Sequence, residues 1–405
     1  MPTDLYLDTA RFGLVVPAAQ GAQVDFARLC GKEGGSAHID EFLREGTEAW
    51  PASMRGCYSG LAAWRGVAQL KESLGHLAGA PARTPVLLAN RSAELMKLAA
   101  RALFRRCGSV LCTDLEWPGY LAILDAERRR GEGCLVCFAA REACFRQGLQ
   151  ATEFVRSVAS RYRREQCEGL FLSAVSFEGV RLPVAQIVAS LSDVRPPRFV
   201  VVDGAQALAH VPGDLPACDV YLAGCHKWLG AGHPLGLAFH PRPSSQEYLR
   251  NLANEMVING DLEDPLLLFA AQLENHRLEP FSETVSFAGL FSCAAAAAAN
   301  LADPLVPATR LQSRLANADA VAEAARPSGW EPLLPDTPFR SGILLLQGRA
   351  PGVRAAPAEE VRAGFQRHGV AVTTYPEGVA RVSLPPRPWE GRELDQLRST
   401  LRSCA

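Results

Sequence analysis

Short apolar segments alternate with helical patterns along the middle of the chain, from Pro85 to about residue 240. Most of these segments are rich in valine and leucine and are short enough to be buried strands. Strands that alternate with helices form a mainly parallel sheet covered on both faces, because right-handed crossovers place the helices there. The predicted strands are residues 85–89, 109–113, 134–138, 169–175, 198–202, 219–223 and 235–240. The pattern predicts an α/β fold with a doubly wound sheet of seven strands.

The composition shifts around residues 303–307, where prolines interrupt the chain and a smaller unit is predicted to begin. After a helix that ends near Ala325, the pattern predicts strands at 342–346, 369–373 and 379–384 and helices at 357–368 and 391–402. This order is typical of an α+β domain. We therefore predict an N-terminal segment, residues 1–75, a large domain, residues 76–300, and a small C-terminal domain, residues 304–405.

Composition and charge exclude several classes of protein. Hydrophobic residues make up 48% of the chain, charged residues 21%, and the formal net charge is −1, which is typical of an ordinary globular protein. The small net charge gives no reason to expect binding to nucleic acid or to a membrane surface. No apolar run approaches the roughly 18 residues of a membrane-spanning helix, and the first residues carry acids instead of a basic signal region. We expect a cytoplasmic protein.

The twelve cysteines do not change that expectation. Several of them lie inside apolar runs, where cysteine behaves as a small hydrophobic residue. Buried reduced thiols explain them better than a disulfide framework does in a chain of this length. No cluster of cysteine and histidine has the spacing of a zinc site, so we predict no metal.

Two residues with complementary chemistry follow two neighbouring apolar runs. Asp203 ends the run that starts at Phe199, and Lys227 follows the run 220–223. Taken singly, such an aspartate is usually a helix cap and such a lysine is usually solvated. Together they lie where ligands bind in open α/β sheets, at the carboxyl ends of strands. Pyridoxal 5'-phosphate (PLP) needs a Schiff-base lysine and an acid at its ring nitrogen, so the pair predicts a PLP site.

The sequence Asp-Gly-Ala-Gln at 203–206, followed by His226 and Lys227, resembles the class V aminotransferase and cysteine desulfurase-like family of PLP-dependent enzymes. The resemblance is specific at about 85–290 and at 378–384. It implies the PLP-dependent transferase fold (fold type I), whose last sheet strand is antiparallel. It also implies a homodimer whose active site is shared between subunits, with residues 6–13 on the substrate side.

The resemblance also assigns roles to residues of the central motif. It makes Lys227 the catalytic lysine, Asp203 the partner of the pyridine nitrogen, and Gln206 a donor to the phenolic oxygen. His226 is expected near the phosphate. The family usually has a serine or threonine where this chain has Gly224, so one phosphate-binding hydroxyl is missing.

Other cofactor contacts are implied by flanking motifs. Residues Arg91, Ser92 and Ala93 open a predicted helix at 92–106, whose N-terminus is a ready phosphate site; an ordinary helix cap is the alternative. Ala93 replaces the usual threonine. The resemblance places Trp117 against the cofactor ring, Ser176 near the phenolic oxygen or the substrate, and Thr284 at the phosphate of the neighbouring subunit.

The reaction is less defined than the cofactor. Arg381 lies in a strand that resembles the family's carboxylate-binding strand, which implies a small amino acid as substrate, since a guanidinium binds a carboxylate with two hydrogen bonds. Desulfuration needs a cysteine on a loop of the small domain, and the chain has none between Cys293 and Cys404. We therefore expect lyase-type chemistry, β-elimination or C–S lysis, or transamination, without a persulfide. The alternatives are a desulfurase-like sulfur transferase, an epimerase and, more remotely, a non-catalytic binding protein.

Overall fold

A computed structural model describes residues 4–34, 39–145, 148–193, 195–213, 215, 217–274 and 285–405. Within these ranges the strands are β1 (Leu5–Tyr6), β2 (Val86–Ala89), β3 (Ser109–Thr113), β4 (Cys134–Phe138), β5 (Gly169–Ser173), β6 (Phe199–Asp203), β7 (Val220–Gly224), β8 (Gly236–Phe239), β9 (Trp330–Leu333), β10 (Ile343–Gly348), β11 (Val370–Ala371), β12 (Thr373–Tyr375) and β13 (Val379–Ser383).

The α-helices in the same ranges are α1 (Pro17–Glu33), α2 (Ile39–Glu45), α3 (Ala52–Cys57), α4 (Val67–Ala78), α5 (Ser92–Arg106), α6 (Pro118–Arg130), α7 (Ala140–Cys144), α8 (Ala151–Arg164), α9 (Val184–Ser192), α10 (Pro243–Ile258), α11 (Pro265–Glu274), α12 (Ala288–Ala302), α13 (Pro307–Ala325), α14 (Pro351–Ala355), α15 (Ala358–Arg367) and α16 (Gly391–Ser403). Among the described residues, no helix is both long enough and apolar enough to cross a bilayer.

The seven-stranded sheet predicted from the sequence is present in the described residues, in the order β2-β8-β7-β6-β5-β3-β4. Strands β3 to β7 pair in parallel, and β8 runs antiparallel between β2 and β7. Each predicted strand of this sheet overlaps an observed one, because short apolar runs between helices favour strands that are buried on both faces. The predicted fold class is confirmed, including the antiparallel last strand.

Both faces of the central strands are buried, which explains why most of their positions are apolar. In β6, Val200 and Val202 face one hydrophobic core, which also contains residues of α4, α8 and α12. Val201 faces the opposite core, together with α5 and α10. Side chains that alternate between two cores fix the register of a central strand, since a slip of one residue would exchange the two faces. The carboxyl end of β6 is held in place by this packing.

A second sheet of four antiparallel strands, β12-β13-β10-β9, contains the C-terminal residues. Strand β9 was not predicted, because it is short, contains Pro332 and lies at the sheet edge, where proline is tolerated. The predicted strand at 369–373 is instead two strands: β11 pairs in parallel with β1, and β12 pairs with β13. The N-terminal segment therefore adds a strand next to the C-terminal sheet. The division into three segments stays a prediction.

Candidate active site

A cavity of about 550 Å³ opens at the carboxyl ends of the central strands. Its wall combines the start of α5, the ends of β6 and β7, and residues of β12 and β13. Ligands of open α/β folds bind at this position, and small-molecule sites have volumes of about 300–1,000 Å³. Nine of the eleven predicted site residues line the cavity: Arg91, Ser92, Ala93, Trp117, Asp203, Gln206, His226, Lys227 and Arg381.

Asp203 is the last residue of β6 and is a buried carboxylate in the cavity wall. Its Oδ1 accepts the backbone N–H of Ala205 at 2.8 Å, and no other described residue donates a hydrogen bond to it. Burial raises the pKa of Asp203, whereas that hydrogen bond and the nearby charge of Lys227 lower it. A buried carboxylate with so few donors is stabilised when a ligand supplies a cationic N–H.

Lys227 lines the same cavity just after the end of β7. Burial lowers the pKa of Lys227 to about 8, Asp203 raises it and Arg381 lowers it further. No described residue forms a hydrogen bond or a close ion pair with its amine, whereas Lys71 and Lys97 each pair with a glutamate. The chain has only four lysines. Lys227 is therefore a buried amine with a lowered pKa and no partner among the described residues, a combination that is common in functional sites.

Gln206 is held from two sides, which fixes the orientation of its amide. Its Nε2 donates to the Ala10 carbonyl at 2.7 Å, and its Oε1 accepts the indole N–H of Trp228 at 2.8 Å. The His210 ring stacks on Trp228 with 3.6 Å between centroids. The Gly342 N–H donates to Nε2 of His210, so this nitrogen carries no proton. The ring proton of His210 therefore lies on Nδ1, which donates to the Gln206 carbonyl at 2.6 Å. One N–H of the Gln206 side chain remains for a ligand.

The start of α5 and the ring of His226 both line the cavity and carry groups that could bind an anion. Helix α5 begins at Ser92 without a side-chain cap, so its first N–H groups are free for an anion. The Nδ1 atom of His226 is buried and has no hydrogen-bond partner among the described residues. Burial lowers the pKa of His226 to about 4, so the ring is neutral and one nitrogen donates. An anionic ligand oxygen would satisfy these donors.

Ala93 and Gly224, where the family's hydroxyls are missing, both line the cavity. A Cβ atom on Gly224 would lie 3.3 Å from Cε1 of His226, so the imidazole already takes much of the room that a larger side chain needs. Arg91 lines the cavity as well and forms no ion pair with a described residue. Among the described residues, backbone amides, Ser92, His226 and Arg91 are groups that could take the place of the hydroxyls.

The cavity end near α5 depends on a glycine in β8. A Cβ atom on Gly236 would lie 2.5 Å from the backbone nitrogen of Ser92, which is closer than real contacts allow. We expect Gly236→Ala to lower the free energy of unfolding by about 1–3 kcal/mol, as overpacking does, and to weaken the binding of inorganic phosphate. Thermal unfolding and calorimetry measure the two effects.

Gly75→Ala is the matched control, because the nearest atom to a Cβ at Gly75 is 3.9 Å away and alanine favours a helix. It should leave both quantities unchanged or raise stability. Equal stability and equal phosphate affinity in the two variants would show that β8 and α5 do not need their close approach.

Trp117 lies just before α6 and lines the cavity, with 46% of its surface exposed. Its ring meets Phe177 edge to face, with 5.4 Å between centroids. The preceding residue, Glu116, is buried and accepts hydrogen bonds from the hydroxyls of Thr113 and Ser173. Burial raises the pKa of Glu116 to about 7. These hydrogen bonds anchor the turn that presents an aromatic face to the cavity.

Two predicted residues are not brought to the cavity by the described structure. Ser176 is buried, and its Oγ accepts the backbone N–H of Val180 at 3.1 Å, so it stabilises a turn without lining the cavity. Ser173, at the end of β5 and opposite Asp203 in register, lines the cavity in its place. Thr284 lies outside the described residues, and its predicted contact with a second subunit stays a prediction.

Arg381 is buried in β13, with its guanidinium at the cavity wall. Its Nη1 donates to the Phe177 carbonyl and its Nη2 donates to the Thr373 hydroxyl, both at 3.3 Å. Asp8 lies 3.7 Å away, and burial raises the pKa of that carboxyl. The Nε atom of Arg381 is buried without a partner among the described residues. Long hydrogen bonds and one free donor leave this guanidinium able to bind a carboxylate.

The N-terminal segment connects the two halves of the cavity. The Gly13 N–H donates to the His226 carbonyl at 2.8 Å, and a Cβ on Gly13 would lie 1.9 Å from the Lys227 carbonyl oxygen. The Ala10 N–H donates to the Ser383 hydroxyl at 2.9 Å, two residues beyond Arg381 in β13. One short segment thus contacts the strand end that carries the lysine and the strand that carries the arginine.

Several cavity residues were missed by the sequence analysis, namely Arg11, Tyr120, Ser173, Phe177, Thr373 and Tyr375. They come from separate elements and share no local motif. Thr373 and Tyr375 reach the cavity because β12 pairs antiparallel with β13, with Thr373 opposite Arg381. Strand β12 has only three residues, 373–375, so its alternation of side chains is too short to indicate this pairing from the sequence.

The fold is that of known PLP-dependent enzymes. A variant of the cystine C–S lyase C-DES, with glycine covalently linked to its PLP cofactor, matches with a TM-score of 0.68 and 16% identity over 98% of this chain and 96% of that chain. The cysteine desulfurase of Thermococcus onnurineus NA1 matches with a TM-score of 0.68 and 12% identity, over 98% and 94%. Fold type I is therefore the fold of this chain.

A third enzyme with this fold is named for a different reaction. The ureidoglycine–glyoxylate aminotransferase of Bacillus subtilis matches with a TM-score of 0.63 and 12% identity, over 100% of this chain and 93% of that chain. No protein-family model matches the sequence, and no curated protein does either. One fold serves lyases, desulfurases and aminotransferases, so the reaction must be argued from the site.

Proposed function

We propose that this protein is a PLP-dependent enzyme that acts at Cα or Cβ of an amino acid, by β-elimination, C–S lysis or transamination. One observation carries the proposal: a buried amine with a lowered pKa, Lys227, and a buried carboxylate, Asp203, line a single cavity at the strand ends. These groups complement the aldehyde and the ring nitrogen of PLP. The PLP bound in C-DES, which has the same fold, supports this assignment.

The residues present fit this cofactor. Lys227 would hold its aldehyde carbon, Asp203 its protonated ring nitrogen, and Gln206 its phenolic oxygen. The start of α5 and the unpartnered Nδ1 of His226 would hold its phosphate. The exposed face of Trp117 would cover its ring and exclude water there.

When bound, PLP supplies an electron sink for the bond that breaks at Cα. The residues of the chain supply position and proton transfer. Asp203, as an anion, keeps a proton on the nitrogen beside it, and Arg381 binds the substrate α-carboxylate. Lys227 Nζ has a pKa of about 8, so it gains or loses a proton readily near neutral pH. We assign to it the proton transfer at Cα.

The position of the cysteines supports chemistry without a protein persulfide. No cysteine lines the cavity among the described residues, and the chain has none between Cys293 and Cys404. Cys225, the nearest in sequence to the lysine, is buried and donates to the His233 carbonyl at 3.2 Å. A thiol that attacks substrate sulfur must be a mobile thiolate. Lyase-type or transamination chemistry is therefore favoured over a sulfur transferase.

The reaction is tested by incubating the PLP-loaded protein with a panel of amino acids, cysteine and cystine included. Pyruvate with ammonia or sulfide would establish elimination, and a keto acid formed with a keto-acid acceptor would establish transamination. Mass spectrometry of the protein after turnover with cysteine should show no added sulfur. A protein persulfide, or no turnover of any amino acid, would contradict the proposal.

Carboxylate binding by Arg381 gives a separate prediction. Arg381→Lys should lower kcat/KM about ten- to hundred-fold, because a charged hydrogen bond contributes roughly 1.5–3 kcal/mol and an ammonium cannot make the paired contact. Steady-state kinetics measure this. Arg349→Lys is the control, since Arg349 is an exposed arginine that pairs with Glu331 far from the cavity wall. An unchanged kcat/KM in Arg381→Lys would place the carboxylate elsewhere.

The lowered pKa of Lys227 predicts how cofactor uptake depends on pH. Only the neutral amine attacks an aldehyde, and burial shifts the pKa from 10.5 to about 8. The rate at which cofactor-free protein couples to PLP should therefore rise with pH and level off above about pH 8. Stopped-flow absorbance follows the coupling. A rate that still rises tenfold per pH unit above pH 9 would mean that Lys227 is an ordinary solvated amine.

The homodimer with a shared site is also part of our proposal. Four exposed apolar side chains at the start of the chain support it: Phe12, Leu14, Val15 and Val24. Exposed apolar groups of this kind often mark a protein interface.

A further inference from the structure

Three aromatic rings form one wall of the cavity on the side of Arg381. Trp117, Phe177 and Tyr375 all line the cavity and come from three different parts of the chain. Trp117 and Phe177 meet edge to face at 79° with 5.4 Å between centroids. Phe177 and Tyr375 meet at 62° with 6.0 Å between centroids. The rings form a continuous apolar surface, which we call the aromatic wall.

The aromatic wall is joined directly to the arginine that we assign to the α-carboxylate. The Arg381 guanidinium lies 5.7 Å from the ring centroid of Tyr375 and donates to the backbone carbonyl of Phe177 at 3.3 Å. An amino acid whose carboxylate is bound by Arg381 therefore has its side chain within reach of Phe177 and Tyr375. Both rings are partly exposed, which leaves surface for a ligand to cover.

The charged groups in the cavity argue against a substrate with a basic side chain. Asp203 is the only carboxylate that lines the cavity among the described residues, and it lies with Lys227 at the strand ends. Arg11, Arg91 and Arg381 line other parts of the wall. The carboxylates nearest to the aromatic wall already face arginines: Asp8 lies 3.7 Å from Arg381, and Glu178 pairs with Arg141 at 2.7 Å. A lysine or ornithine side chain would therefore find no unpaired carboxylate there and would lose its hydration. An aromatic side chain would replace water on Phe177 and Tyr375.

We infer that the substrate of this site is an α-amino acid with an aromatic side chain, which packs against Phe177 and Tyr375 while Arg381 binds its carboxylate. This inference rests on the proposed function. It adds the class of side chain, which neither the sequence motifs nor the fold defines. The edge-to-face contacts among the three rings show the geometry that a fourth ring would extend.

The test is a binding titration of PLP-loaded protein, read from the change in cofactor absorbance. L-phenylalanine, L-alanine, L-aspartate and L-lysine are compared in the wild type and in two variants, Phe177→Ala and Phe177→Leu. We expect L-phenylalanine to bind at least about tenfold more tightly than L-alanine, as burial of a large apolar group allows. Phe177→Ala should remove most of that ratio with little change for L-alanine, and Phe177→Leu should retain part of it.

Tyr248→Leu is the matched control, because Tyr248 lies on α10 beside Arg106, outside the cavity wall. It should leave all four dissociation constants unchanged. Tighter binding of L-aspartate than of L-phenylalanine, which Arg11 would favour, overturns the inference. So does a phenylalanine-to-alanine ratio that neither Phe177 variant changes. If no absorbance band of lysine-bound cofactor forms at all, the proposed function itself fails. The presence of that band therefore distinguishes a failure of the substrate inference from a failure of the proposed function.

Discussion

Asp203→Asn should lower kcat/KM for every amino-acid substrate by roughly a thousand-fold while the chain remains folded. A pair of unit charges about 4 Å apart contributes about 4 kcal/mol at an effective dielectric constant of about 20, which corresponds to that factor in rate. Asparagine keeps the size of the side chain but cannot keep a proton on a ring nitrogen beside it. Steady-state kinetics with saturating cofactor measure the loss.

The same substitution should not destabilise the protein that lacks cofactor. Burial raises the pKa of Asp203 above its ordinary 3.8, so the unfolded chain gives up that proton at lower pH than the folded chain does. The ionised carboxylate therefore lowers the free energy of unfolding increasingly as pH rises above about 3.8 and through the pKa of the folded state. Asparagine removes that cost. A catalytic residue that costs stability is common in active sites.

Asp219→Asn provides the contrast. Asp219 is equally buried, but it accepts the Val200 N–H at 2.7 Å and pairs with Arg242 at 2.6 Å. Burial raises the pKa of Asp219 as well, but its substitution weakens these two contacts, so it should lower the Tm. The spectrum of bound cofactor should be unchanged. A Tm loss in Asp203→Asn as large as that in Asp219→Asn, or full activity in Asp203→Asn, would contradict the role that we assign to Asp203.

Lys227→Ala should abolish turnover without abolishing cofactor binding. The substitution removes the only amine that lines the cavity in the described residues and leaves the start of α5 and His226 in place. PLP should still bind through its phosphate, with weaker affinity and the absorbance of a free aldehyde. Equilibrium dialysis and absorbance spectra distinguish that state from the covalent one.

Lys97→Ala is the control for a lysine outside the site. Lys97 lies on α5 and pairs with Glu94 at 2.8 Å, and its side chain is 43% exposed. Turnover should be unchanged in this variant. Residual turnover in Lys227→Ala at the level of Lys97→Ala would remove the central role that we assign to Lys227.

The large sheet could be predicted from the sequence because its strands are buried on both faces. Runs such as 199–202 are apolar at every position, and their short length between helical segments favours a buried strand. Strand β9 could not be predicted, since it is a short edge strand with a proline in it. The predicted strand at 369–373 is divided into β11 and β12 because β11 pairs with β1, which is more than 350 residues away in sequence, whereas β12 pairs with β13.

The residues at the strand ends of the cavity could be placed together from the sequence, because they follow strands directly. Asp203 and Lys227 lie close together through the parallel pairing of β6 with β7, which the pattern already indicates. Ser176 shows the limit of this reasoning. A turn closed by the Val180 N–H buries its hydroxyl, and only the three-dimensional structure shows that Ser173 reaches the cavity.

The substrate side could not be predicted, because it is assembled from distant segments. Asp8 lies beside Arg381 only because residues 5–6 of β1 pair with β11. Phe177 and Tyr375 form one wall although nearly 200 residues separate them in sequence. Contacts of this kind leave no local periodicity, so they become visible only when the fold is known.

Borohydride reduction of the PLP-loaded protein, followed by peptide mapping, identifies the lysine that binds the cofactor. Borohydride converts the bond between a lysine amine and PLP into a stable secondary amine. The chain offers only Lys32, Lys71, Lys97 and Lys227, so the modified lysine can be assigned without ambiguity. We predict a single pyridoxyl group, on Lys227. A pyridoxyl group on another lysine, or none on the protein, would contradict the account.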